Sequence, residues 1–183
     1  DGDNTSAAVE LSYPIRRSRA GNLSTSIRLA SREARTTSFG AVLSHDVVRS
    51  VALGGSWDAI DTWRGVNLAF GEVSQGIEGL GSSQSGDAVL SRASGRPDYT
   101  KVSGGLTRVQ GLWPSINLRL DLEGQYAFSQ LLAGEQFGIG GARIGRAYDP
   151  SEVIGDHGLA GRAELQWDTP VPANGFLLTA QVY

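Results

Sequence analysis

The stretch INLRLDLEGQYAF places Ile116, Leu118, Leu120, Leu122, Gly124, Tyr126 and Phe128 on one parity, and Asn117, Arg119, Asp121, Glu123, Gln125 and Ala127 on the other. A period of two predicts a β-strand with one apolar and one polar face. Alternation of this kind recurs about eight times along the chain, in segments of roughly barrel-strand length. SAAVELSYPI sets Ala7, Val9, Leu11, Tyr13 and Ile15 against Ser6, Glu10 and Ser12, and NLSTSIRLASR sets Leu23, Ile27 and Leu29 against Asn22, Ser26, Arg28 and Arg32. SVALGGSWDA carries Val51, Leu53 and Trp57 in one row, and RGVNLAFGE reads as an apolar row of Val66, Leu68 and Phe70 opposite Asn67 and two small residues. In YTKVSGGLTRVQGLW the phase slips between Leu106 and Val109, and Gly104-Gly105 reads as a bulge. LAGRAELQW, with Leu159, Ala163, Leu165 and Trp167 opposite Arg162, Glu164 and Gln166, and GFLLTAQVY complete the set.

The connections sort by parity. Short turns at 16–21, near Asp61-Thr62, at Pro114-Ser115 and at 170–173 alternate with long ones at 33–46, 79–98 and 129–158. Outer-membrane barrels have short turns on one side and long loops on the other, whereas a soluble sandwich has no reason to sort its loops this way. Tyr13, Trp57, Trp63, Trp113 and Trp167 fall near strand ends, where an interfacial aromatic girdle belongs. The expected fold is therefore all-β: an antiparallel up-and-down transmembrane β-barrel whose apolar rows touch lipid. Arg119, Asp121, Glu123, Gln125, Arg162 and Glu164 would then face a wet lumen. The serine- and glycine-rich connection 79–98 reads as a mobile extracellular loop.

Composition agrees with this picture without proving it. The 183 residues carry a net charge of -3, which does not resemble a nucleic-acid-binding polycation. No apolar run reaches the length of a membrane helix, and the mean hydropathy of -0.17 suits a barrel in which only alternate residues meet lipid. Absence of cysteine excludes disulfides, thiolate metal sites and thiol nucleophiles. Asp156-His157 and His45-Asp46 are the only histidine-carboxylate neighbours, and their spacing suits neither a zinc cluster nor an acid-base site, so no metal, cofactor or catalysis is expected. The glycines of GIGGARIG lack the dinucleotide fingerprint and a βαβ frame. They suit close backbone approach in a folded-in loop. Two other readings fit the alternation alone: a small eight-stranded barrel with a structural or adhesive role, and a soluble β-barrel with an apolar ligand inside.

The thirty-residue connection at 129–158 is too long and too rich in apolar residues for a solvated excursion. Its motifs EQFGIGG, GRAY and GDHGLAGRAEL, with SYPIRRSRAGNLSTSIRL and LSRASGRPDYTKVSGGLTRVQGL elsewhere, resemble the outer-membrane transporters of two-partner secretion, the haemolysin/haemagglutinin secretion-activation proteins of the Omp85 superfamily. The usual loop motif there is Val-Arg-Gly followed by Tyr or Phe; here Arg146 and Tyr148 match while Gly145 and Ala147 depart. The resemblance implies a sixteen-stranded barrel, of which this chain covers about eight consecutive strands, with POTRA domains and closing strands outside it. It also implies export of one large partner protein across the outer membrane without ATP, and no small-molecule substrate. On it rests the set of loop residues expected to matter: Gly140, Gly141, Arg146, Tyr148, Gly155, Asp156 and Gly158. Arg146 would meet a carboxylate on the barrel wall, for which Glu164 is the candidate within this chain.

Overall fold

A computed structural model describes residues 2–141, 144, 145, 148–173 and 176–182, the side chains from 168 onward excepted. Eight strands form one antiparallel sheet in which each strand neighbours the next. They are β1 (Gly2–Arg17), β2 (Gly21–Ser38), β3 (Ala41–Ile60), β4 (Val66–Gly76), β5 (Thr100–Trp113), β6 (Ile116–Ala127), β9 (Gly158–Ala173) and β10 (Phe176–Val182). Inside the connection between β6 and β9, a 3-10 turn (Ala133–Glu135) precedes a small hairpin of β7 (Phe137–Ile139) and β8 (Val153–Gly155). Every segment with the expected alternation is a strand, and the order is up-and-down.

Register shows which residues share a face. Leu11, Ile27, Leu53, Val73, Val102 and Tyr126 pair in line across six strands, and each is at least 40% exposed. One step away, on the opposite face, Ser12, Ser26, Gly54, Glu72, Ser103 and Gln125 form a parallel polar line. A soluble ligand-binding barrel needs its apolar rows packed together inside. Here they are bare.

Five expectations need correction. The short turn expected at 170–173 lies inside β9, whose residues there still pair with β10. In β4 the row Val66, Leu68 and Phe70 lies on the polar face, because Leu68 pairs with Asp58 and Thr107, and Thr107 with Asp121. The outward row of β4 is Asn67, Ala69, Gly71, Val73 and Gln75, with Val73 its only large apolar residue, so the inward row looks more apolar. Phe70 lies over Gly105, where a Cβ would sit 2.5 Å from the ring. The pairing runs unbroken through Gly104 and Gly105, and the irregularity in β5 falls between Gly111 and Trp113 instead. Residues 33–46 are no loop: β2 and β3 run on to a tight turn at Phe39 and Gly40, both at positive φ (49° and 79°). Finally, the connection 79–98 is no loose excursion. It runs along the edge of β3 beyond the end of β4, where Ser83 and Val47 exchange hydrogen bonds and the His45 amide donates to Val89.

Candidate functional site

The polar face of β5, β6 and β9 carries a network of charges. Asp121, 9% exposed, accepts hydrogen bonds from Arg119 (2.9 Å to Nε), Arg162 (2.7 Å to Nη2) and the Thr107 hydroxyl (2.7 Å). Arg162 in turn reaches Glu164 at 3.2 Å. Arg119 and Asp121 alternate along β6 by parity, and register brings Arg162 opposite Asp121. Across the sheet, Arg28 of β2 pairs with Glu72 of β4. A ladder of opposite charges satisfies itself without water, which is how a wall can be hydrophilic and rigid together.

Against this face lies the first part of the long connection. Leu131 and Leu132 are fully buried and join Val48, Leu90, Tyr99 and Ala127 in one apolar cluster, fed by β3, the connection 79–98, the lead-in to β5, and β6. The 3-10 turn that follows presents Glu135, whose carboxylate accepts from Lys101 Nζ (2.7 Å) and the Tyr99 hydroxyl (2.9 Å). Arg32 donates to the Gly134 carbonyl (2.6 Å), and Gln125 to that of Glu135 (3.1 Å). Burial, together with the negative charge of Glu135, pushes the Tyr99 hydroxyl up, so it stays protonated and donates. A cavity of about 430 Å³ opens beside the turn, lined among others by Arg28, Arg32, Glu72, Lys101 and Glu135.

At the other foot of the connection, Asp156 accepts a two-pronged ion pair from Arg92 (2.5 and 3.3 Å), the Leu131 amide (3.2 Å) and Gln136 Nε2 (3.1 Å). Burial opposes its charge, but these donors outweigh it and hold the carboxyl below its ordinary value. His157 stacks on Tyr126 at 4.6 Å and its Nδ1 accepts the Ala127 amide. Gly158 is required by contact, because a Cβ there would lie 2.1 Å from the Phe137 ring.

Of the loop residues singled out by sequence, Asp156 and Gly158 meet at this foot, while Gly140, Gly141 and Tyr148 lie in the distal arm. Gly140 and Gly141 have positive φ (124° and 89°), and the Gly141 amide donates to the Tyr148 carbonyl at 3.1 Å. Gly155 pairs with Phe137 at the start of the small hairpin. Arg146 lies outside the described residues. Sequence reasoning missed Arg92, Lys101, Tyr99 and Glu135. Lys101 was legible as a polar-row residue and Glu135 stood within EQFGIGG, but nothing in one sequence pairs Arg92 with a residue 64 positions away.

The sequence profile of the haemolysin secretion/activation proteins matches residues 1–182, the length of this sheet and its loops. The chain belongs to the haemolysin secretion/activation protein family ShlB/FhaC/HecB. Its fold is similar to that of CdiB from Escherichia coli, with a TM-score of 0.82 at 18% identity over 93% of this chain and 32% of that one. It is also similar to CdiB from Acinetobacter baumannii, with a TM-score of 0.72 at 22% identity over 93% and 30%. The chain thus spans about a third of the length of those structures. A search of curated protein sequences found no match. Membership places the chain among the haemolysin secretion/activation proteins, and the two neighbours share its antiparallel β-sheet fold.

Proposed function

We propose that this chain forms about half the wall of a sixteen-stranded, protein-conducting barrel in the bacterial outer membrane, preceded by POTRA domains in the full-length protein. It exports a large haemolysin- or adhesin-type partner without ATP. The observation that carries the reading is the division of the sheet into a bare apolar face and a charged face on which the foot of the long connection is laid. The outward row from Ile116 to Tyr126 rises roughly 33 Å along β6, about 25 Å after the tilt usual in barrels, which is the height of an outer-membrane apolar band. A self-satisfied charge ladder offers a passing polypeptide polar footing without a deep trap, and no nucleotide site is needed for that.

Within this reading Arg146 is held by a wall carboxylate, with Glu164 as the candidate in this chain, and Gly140, Gly141, Tyr148 and Gly155 shape the arm that carries it. A guanidinium keeps its charge in a partly dry lumen and binds a carboxylate through two hydrogen bonds. The test is export by cells carrying the full-length transporter with Arg146→Ala at normal outer-membrane levels. Loss of export is expected. Undiminished export would show that Arg146 is a solvated loop charge and would remove the arm from the mechanism.

A further inference from the structure

The connection 128–157 is built in two parts. Its feet, 129–136 and 156–157, are held at several points: by burial of Leu131 and Leu132, by Glu135 on Lys101 and Tyr99, and by Asp156 on Arg92. The two feet also bind each other, since Asp156 accepts from both the Leu131 amide and Gln136. The connection 79–98 closes over them from outside. Arg92 donates to the Leu131 carbonyl (2.6 Å) as well as to Asp156, Ser91 Oγ accepts the Ala133 amide (3.0 Å), and the Arg96 amide donates to Gln130 (2.9 Å). Ser91 is itself tied to β3, its amide donating to buried Asp46 (2.9 Å). One chain of bonds therefore runs from β3 through 79–98 to the base of the arm at 137–155.

We infer that Arg92, Asp156 and Glu135 form a neck clamp that makes the connection 79–98 and both feet of the long connection one fixed body. Any movement of the long connection during export is then confined to the arm beyond Phe137. Arg92 and Asp156 are positioning residues: they set where the arm departs from the wall. A clamp of this kind explains why a serine- and glycine-rich connection is tied down at these points. The inference rests on the transport reading above only for the word export.

The decisive experiment cross-links Ser91 to Ala133, which meet where the Ala133 amide donates to Ser91 Oγ at 3.0 Å, in the full-length transporter as Ser91→Cys/Ala133→Cys, with closure of the disulfide verified by loss of free thiol. Export is expected to be equal with the disulfide closed and with it reduced. Export that stops on oxidation and returns with reductant would mean that the neck must open, and would overturn the clamp. Hydrogen exchange on the purified full-length protein reads the same inference without transport. The amides of Leu131, Glu135 and Gln136 are expected to exchange about tenfold faster or more in Arg92→Ala, with Arg92→Lys between it and the parent. Exchange unchanged by Arg92→Ala would also overturn the clamp. A parent that exports nothing would count against the transport reading, while exchange alone would still decide the neck.

Discussion

At the scale of single residues, carboxylates organise this protein. Asp121 faces three donors on the polar face, and removing it leaves Arg119 and Arg162 beside each other with their shared anion gone. Asp121→Ala is expected to destabilise the full-length barrel by about 3 kcal/mol, the scale of breaking a largely buried charge pair, read as a lower midpoint of heat modifiability on gels. Asp61, in the turn after β3, is held at about 2, first by the Arg108 hydrogen bond and then by the Gly65 amide. A depressed carboxyl contributes its stability above the unfolded value near 3.9 and loses it as pH falls toward 2. In Arg108→Ala the Asp61 titration is expected to move up toward the ordinary range, measurable by NMR. An unmoved value would mean that the turn amides alone hold it.

At the scale of elements, two pieces carry their own consequences. The β2–β3 turn places Phe39 at φ 49° and Gly40 at φ 79°, a type I′ pair in which Phe replaces the Asn or Asp that tolerates the first position. Phe39 is fully exposed and packs on nothing that would offset the strain. Phe39→Asn is expected to stabilise by about 1 kcal/mol, and a lowered unfolding midpoint would show that the aromatic ring has a contact of its own. The neck is an acid-labile element. Asp156 faces Arg92 and Gln136, with His157 and Glu135 nearby, and its lowered carboxyl loses its contribution as pH falls below about 4. Protease cleavage within 129–136 is expected to accelerate below that pH and not between pH 5 and 8.

At the scale of the molecule, the proposed lipid contact would decide which substitutions matter. Leu120 stands on the bare face and Asp121 on the charged one, one residue apart. An arginine on a lipid-facing midplane costs roughly 2 to 4 kcal/mol, so Leu120→Arg is expected to reduce barrel assembly more than Asp121→Arg. Equal tolerance would deny the lipid contact. The aromatics are also asymmetric at this scale. Trp63, in the turn between β3 and β4, Trp113, at the short-turn end of β5, and Trp167, opposite Ile116 at the start of β6, edge one rim. Tyr126 and Phe128, edge to face at 5.2 Å, mark the other. The sequence reading placed the first rim and left out the second.

What the sequence determined by itself was the set of eight strands and their up-and-down order, because side-chain period is a local property; the strict alternation of short and long connections failed at 33–46, where β2 and β3 run on to a two-residue turn. GDHGLAGRAEL and its companion motifs likewise carried the family. Tertiary structure alone decided the face of β4, since Val66, Leu68 and Phe70 alternate correctly and only the register with β3 and β5 says which side they meet. It also decided that 79–98, though largely exposed, is tied by hydrogen bonds to β3 and to the long connection, and that Arg92 finds Asp156. Those outcomes depend on which distant groups arrive at the same point in space, and a one-residue change of register reverses a strand's faces without altering a single letter of its pattern.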